Sequence, residues 1–199
     1  MNGFQTQRVE RTWWRAHRSL LLKTTSGALV TDPNWPGEYI LDTSTAAKRH
    51  RIAARVGRTL SRCARRGFDA VEVDNLDTFT RFSALSRSGN LALARLYARQ
   101  VHAAGLAIAQ KNAAQASAVA RRAAGFDFAI SEECVYYREC ADYARSYGAH
   151  VYDVEYTDAL RSSVAAVCRS TARPALTVVR DPDLVARGRA AYRLTQCAS

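Results

Sequence analysis

Ala70-Val71-Glu72-Val73-Asp74 is the stretch that decides how this chain folds. A β-strand sends successive side chains to opposite faces. Val71 and Val73 therefore share one face, and Glu72 and Asp74 share the other. That pattern predicts a strand packed against helices on one side and ending in a polar interior on the other. Upstream, Arg66-Gly67-Phe68-Asp69 reads as a turn, and residues 44–65 form a long helical run. Downstream, Leu91, Ala94, Leu96, Ala98 and Val101 fall near helical spacing over residues 91–104, and Gly105 stops the helix. The alternation continues, with strands at 106–110, 126–130, 151–156 and 175–179 and helices at 113–124, 141–147 and 158–170. A further strand is expected at 38–41, after a helix near residues 8–18.

Strand alternating with helix predicts a parallel α/β fold. No Pro/Gly/Ser linker or solenoid-length repeat interrupts it, so residues 1–199 read as one domain. An open doubly wound sheet and a closed (β/α)8 TIM barrel both fit the alternation. Neither GxGxxG nor GxxxxGK[ST] follows any strand, which weakens the nucleotide-binding open sheets. Polar residues at the strand ends favour the barrel: Asp42, Asp74, Asn112, Glu132, Glu155 and Arg180 recur at intervals of 20 to 38 residues. In a barrel such ends meet at one mouth, where active sites sit.

The formal charge is +11, from 29 Lys and Arg against 18 Asp and Glu. The arginines lie in Ala-rich helical stretches such as residues 49–58, with no interleaved aromatic residues for stacking on bases. A solvated basic exterior is therefore favoured over a nucleic-acid partner. No apolar run is long enough to span a membrane, and the first twenty residues, with five charges, contain no signal-peptide h-region. The five cysteines form no CxxC pair and the four histidines are scattered, which argues against zinc. An odd cysteine count fits unpaired thiols in the cytosol, or an exported protein with one partner missing.

The acidic residues cluster. Four of the 18 precede position 69, and twelve lie between Asp69 and Asp158. Glu72 and Asp74 should face the lumen together, with Glu132 and Glu155 reaching the same mouth from neighbouring strands. Paired carboxylates in such a place suit acid–base or nucleophilic work, with Lys111 tuning their pKa values. A carboxylate metal site is the lesser reading, because no histidine accompanies the cluster. Asp42, Asp77 and Asp158 read first as helix N-caps. Trp35, Tyr136, Tyr137, Tyr156 and Phe79 fall in or beside the mouth loops, where flat apolar surfaces suit a polysaccharide, whereas Trp13 and Trp14 read as packing residues.

Five ordered motifs carry a family resemblance. Gly67-Phe68-Asp69-Ala70-Val71-Glu72-Val73-Asp74-Asn75-Leu76-Asp77 resembles the "GFDGVEPDNxD" motif of glycoside hydrolase family 114, the endo-α-1,4-polygalactosaminidase group, with Val73 in the proline position. Asn34-Trp35-Pro36-Gly37-Glu38 through Leu41-Asp42 is similar to "WxGExxLD", and Gly105-Leu106 through Lys111-Asn112 to "GLxxxxKN". Ser131-Glu132-Glu133-Cys134 through Glu139-Cys140 is similar to "NE(Q/E)C…EC", with Ser131 in place of Asn, and Val154-Glu155-Tyr156 to "VEY".

The resemblance implies a TIM barrel that hydrolyses internal α-1,4 linkages of a cationic galactosamine polymer, as a monomer with neither cofactor nor metal and with no nucleic-acid or membrane partner. Asp74 and Glu132 would be the catalytic pair, Asp74 as nucleophile and Glu132 as general acid/base, or with the roles reversed. Glu72, Asn75, Lys111, Asn112, Glu155, Tyr156, Asp42 and Trp35 would line the substrate subsites. The same resemblance implies disulfides Cys134–Cys140 and Cys168–Cys197 in a secreted parent protein. It also implies that residues 1–5 are the tail of the second barrel strand. The first βα unit and the start of the second would then be missing, leaving about six βα units, with Cys63 deprived of its partner. The competing expectations are a carbohydrate-binding barrel without turnover and an inactive truncated fragment.

Overall fold

The computed structural model describes residues 1–198. Two 3-10 turns, Arg8–Glu10 and Arg18–Leu20, flank α1 (Arg11–Ala16). Next come α2 (Ala46–Arg65), β1 (Ala70–Val73), α3 (Thr78–Arg81), α4 (Arg87–Ala103) and β2 (Ala107–Lys111). A 3-10 turn (Ala114–Ala116), α5 (Ser117–Val119) and a π-helical turn (Ala120–Ala124) lead to β3 (Phe128–Glu132). The chain continues through α6 (Cys134–Tyr137), α7 (Cys140–Tyr147), β4 (Val151–Tyr156), α8 (Val164–Arg169), β5 (Leu176–Arg180) and β6 (Leu194–Gln196).

The six strands form one sheet in chain order, parallel from β1 to β5, with β6 antiparallel at the edge. The strand parity read from residues 70–74 holds: Val71 and Val73 are buried, while Glu72 is half-exposed. The valine face belongs to a core with Ile52, Val56 and Leu60 of α2 and Leu93, Tyr97 and Val101 of α4, all buried. Each large apolar side chain removed from water there contributes about 1.5–3 kcal/mol. The long helices start where the sequence offers a hydroxyl cap. Thr45 accepts from the Lys48 amide at the head of α2, and Ser86 from the Gly89 amide at the head of α4. Gly67 and Gly105, at φ +76° and +75°, reverse the chain after α2 and α4 into the next strands.

Two expectations fail. Residues 38–41 are not a strand of the sheet; they make only single antiparallel bridges, Thr31 to Tyr39, Gln5 to Ile40 and Leu21 to Leu41. The place beside β1 is taken by the first residues of the chain, through a parallel bridge between Asn2 and Asp74 and the Asp74 amide donating to the Met1 carbonyl at 2.8 Å. Gly3 makes this approach feasible. A Cβ there would lie 2.1 Å from Val73 Cγ1, and the Gly3 carbonyl accepts from the Tyr97 hydroxyl at 2.7 Å. The second failure is at the other edge, where β6 (Leu194–Gln196) was not anticipated because all three of its residues are exposed and carry no buried face to read.

Candidate active site

Three strand ends build the site, and each ends in the same way. Asp74, Lys111 and Glu132 are each followed by a non-glycine residue in the left-handed region: Asn75 at φ 66°, Asn112 at φ 50° and Glu133 at φ 60°. Such a conformation costs about 1–3 kcal/mol unless its surroundings impose it, and it concentrates at functional sites. At β2 the surroundings are visible. Gln110 is fully buried on the helix side, donates to the carbonyls of Asn112 and Ala113, and accepts from the Tyr147 hydroxyl. The turn sends Lys111 and Asn112 to the mouth.

There Lys111 Nζ lies 2.6 Å from Glu132 Oε2 and 3.8 Å from Asp74 Oδ1. Asn112 donates to Glu132 Oε2 at 3.0 Å and accepts from the Glu132 amide at 2.8 Å. The Tyr156 hydroxyl donates to Glu132 Oε1 at 2.6 Å, so both Glu132 oxygens are engaged. Asp74 Oδ1 accepts from the Asn75 amide, and its Oδ2 has no hydrogen-bond partner among the described residues. Asp74, Asn75, Lys111, Asn112 and Glu132 line a cleft of about 530 Å³ together with Asn2, Trp35, Glu38, Asp77 and Arg81.

The electrostatics follow from the contacts. Burial pushes the Glu132 carboxyl up, but hydrogen bonds from Lys111 and Tyr156, the Lys111 charge and Asn112 outweigh it and hold the group below its ordinary value. Burial depresses the Lys111 ammonium, yet the charges of Asp74 and Glu132 more than compensate and keep it protonated. Glu72 is raised, chiefly by burial. Burial also raises the Tyr156 phenol, and its bond to the Glu132 carboxylate adds to this, so Tyr156 stays a donor.

Of the residues expected at the site, Asp74, Asn75, Lys111, Asn112, Glu132 and Trp35 come together in the cleft, and Tyr156 touches Glu132. Glu72 points to the same face as Asp74 without lining the cleft. Two expectations need correction. Asp42 is buried away from the cleft, where it accepts from the Ser44 amide and pairs with Lys48. These contacts outweigh its burial and hold its pKa below the ordinary value. It shapes the entry to α2, while the side-chain cap of that helix is Thr45. Glu155 is 1% exposed and accepts from the Val135 amide at 2.8 Å, on the face of β4 turned from the cleft.

Glu38 and Arg81 were missed as site residues. Glu38 is fixed by Asn2 at 2.8 Å and Gln5 at 3.3 Å. Arg81 reaches Asp32 at 2.5 Å, Gln5 at 3.0 Å and Asn75 at 2.9 Å. Glu38 lies inside the Trp35–Glu38 motif, and Arg81 has one local sign, an i,i+4 ion pair with Asp77 at 3.6 Å. The expected pairs Cys134–Cys140 and Cys168–Cys197 are disulfides, and Cys63 is a free thiol. Cys134, Cys140 and Asp153 lie within 4.8 Å of one another, but the disulfide leaves no thiolate to bind a metal.

The family model of the glycoside-hydrolase family GH114 matches residues 9–198. The chain belongs to that family. This GH114 chain is accordingly a glycoside hydrolase. No curated protein sequence matches it significantly. Among solved structures it is similar to Ega3 of Aspergillus fumigatus in complex with galactosamine, at 21% identity and a TM-score of 0.70, covering 99% of this chain and 76% of that one. It is also similar to the glycoside hydrolase domain of PelA from Pseudomonas aeruginosa, at 13% identity and a TM-score of 0.59, covering 95% and 79%. A variant of that domain gives 14% and 0.63 with the same coverage. These likenesses bear out the α/β barrel-type fold. No described helix of the GH114 chain is long and apolar enough to cross a membrane.

Proposed function

We propose that this GH114 chain cleaves internal α-1,4 linkages of galactosamine polymers with Asp74 and Glu132. One observation carries the reading: a single ammonium, Lys111, bridges the two carboxylates across adjacent strand ends. The two bridged oxygens can be no farther apart than the sum of its two contacts. That bound keeps the two carboxylates close enough to act on one glycosidic bond, and we take the retaining course, through a covalent intermediate.

Asp74 Oδ2, free of hydrogen bonds, attacks the anomeric carbon. Glu132 delivers a proton to the departing glycosidic oxygen, then takes one from the water that opens the Asp74 ester. The reverse assignment has one observation in its favour, the depressed pKa of Glu132 in the free site. Azide rescue separates the two. With a retaining enzyme lacking its acid/base, azide replaces water and the product keeps the substrate's configuration; lacking its nucleophile, azide attacks directly and inverts it.

A galactosamine residue carries an ammonium, and Glu38, Asp77, Asp74 and Glu132 face the cleft where it would lie. Trp35, 60% exposed at the rim, offers a flat face for a sugar ring. Asn75, Asn112 and Tyr156 complete the subsites in this reading, with Glu72 behind Asp74 on the same face of β1. The binding of galactosamine by Ega3 supports the same substrate class. The two disulfides fit an oxidising location outside the cytosol, and we assign the activity there. We take residues 1–199 as one catalytic domain, working as a monomer. Product analysis of α-1,4-polygalactosamine digests tests the proposal. Short oligomers of several lengths appearing early support internal cleavage, whereas monomer alone, or binding without products, contradicts it.

A further inference from the structure

We propose that Asp153 and Glu155 are positioning residues that hold Glu132 in place from behind the sheet. The proposal rests on the reading of Glu132 as catalytic. Strand parity puts Val151, Asp153 and Glu155 on the helix side of β4, and Tyr152, Val154 and Tyr156 on the other side. The two carboxylates reach forward to the residues on either side of Glu132. Asp153 Oδ1 accepts from the Ser131 hydroxyl at 2.8 Å and from the Cys134 amide at 3.2 Å. Glu155 Oε1 accepts from the Val135 amide at 2.8 Å. Between them the Glu133 amide donates to the Val154 carbonyl at 2.8 Å. Glu132 is thus gripped by its neighbours 131, 133, 134 and 135 from one strand, while Tyr156 of that strand holds its carboxylate from the front.

Two features make this more than a cap on a short helix. Glu133 is a non-glycine residue at φ 60°, a conformation that must be imposed by its surroundings, and the clamp spans it. Asp153 and Glu155 are each 1% exposed, and among the described residues no Lys or Arg is in salt-bridge contact with either. Burying carboxylates without a cation is costly, and an apolar pair would serve stability as well or better. Burial raises Asp153; burial and the Asp153 charge raise Glu155, to about 7. Burial and their mutual charge favour a proton shared by the pair, and in its protonated form Glu155 donates to Asp153. Glu133 on the adjoining turn and Glu139 and Tyr143 around α7 are the other titratable groups facing Asp153, and none is cationic.

Glutamine at 155 can reproduce both bonds of the protonated acid; alanine can reproduce neither. The test follows the Glu132 carboxyl by carbon NMR titration in wild type, Glu155→Ala, Glu155→Gln and Ser131→Ala, with Glu132→Gln to assign the resonance. Expected is a depressed Glu132 pKa in wild type and Glu155→Gln, moving up toward the ordinary ~4.3 in Glu155→Ala and part of the way in Ser131→Ala. In parallel, kcat on α-1,4-polygalactosamine falls by about 10²-fold in Glu155→Ala with KM within twofold, the loss expected for a reacting group displaced by ~1 Å. A folded Glu155→Ala with the wild-type Glu132 titration overturns the proposal. If that variant does not fold, Ser131→Ala decides in the same way: an upward move supports the clamp and an unmoved titration overturns it. Glu132→Gln that still cuts the polymer sinks the catalytic assignment instead, and the titration still decides the clamp.

Discussion

At the scale of single residues, Lys111 organises the site, because one charge serves two carboxylates. Removing it while keeping its bulk, as Lys111→Met, deletes the hydrogen bond and the charge that hold Glu132 low. The Glu132 pKa should then rise, and because Glu132 must be protonated to act as the acid, the alkaline limb of kcat/KM should move to higher pH. A pH–rate profile with an unmoved alkaline limb would contradict this.

The same scale shows what the sequence could and could not tell. Asp74, Lys111 and Glu132 could be expected together because strand ends of an alternating α/β chain converge on one mouth, although a carboxylate there can equally serve a helix entry, as Asp42 does. Glu155 was misplaced for a reason within reach. Neighbours on a strand point oppositely, so Glu155 and Tyr156 cannot both face the cleft, and Tyr156 takes that role. Arg81 offered only a helical i,i+4 pair with Asp77, which alone reads as a surface contact; its partners Asp32 and Gln5 lie 49 and 76 residues away, and only the folded chain gathers them.

At the scale of elements, β4 couples stability to pH. Glu155 has a folded pKa of about 7, above the ordinary value of ~4.3 for the unfolded chain. Its contribution to stability is therefore complete below about pH 4 and is lost as pH rises through 7. Wild-type Tm should fall over that window relative to Glu155→Gln, which holds the same hydrogen bonds without titrating. Each kcal/mol is worth roughly 2–4 °C in a domain of this size. Parallel Tm curves for the two proteins between pH 4 and 8 would refute the coupling. The strip of residues beside β1 makes a second element-scale prediction. Gly3→Ala places a methyl 2.1 Å from Val73 Cγ1, so the strip or β1 must shift. A loss of about 1–3 kcal/mol is expected by chemical denaturation, as for other overpacked sites.

The strands and long helices were legible because hydroxyl caps, glycine stops and alternating burial agree along the chain from 44 to 156. The strand expected at 38–41 was misread for lack of a local signal. Tyr39, Ile40 and Leu41 are buried and β-prone, but they pack in isolated bridges to three different segments rather than in a ladder. The helix expected at 113–124 contains a 3-10 turn, one α turn and a π turn, a distinction that alanine-rich composition does not encode.

At the scale of the whole molecule, α2 and α4 carry ten Lys and Arg and no Asp or Glu, whereas the acidic side chains gather on the sheet and its loops. The overall charge of +11 therefore describes the helical exterior, while the cleft presents Glu38, Asp74, Asp77 and Glu132. The Cys168–Cys197 bridge ties the chain end to α8 across 29 residues. Loop-closure entropy values such a bridge at about 3.6 kcal/mol. Thermal unfolding with and without reductant should therefore show a Tm drop of several degrees, and an unchanged Tm would deny the bridge that role.

The central claim is that Asp74 and Glu132 hydrolyse a galactosamine polymer in this cleft. The most direct measurement is the release of new reducing ends from α-1,4-polygalactosamine by wild type, Asp74→Asn and Glu132→Gln, each first shown to be folded with a comparable Tm. Turnover by wild type, reduced by about 10³-fold or more in both variants, is the predicted result. Turnover that survives either substitution would contradict the assignment, and a folded wild type that binds the polymer but releases no ends would contradict the function.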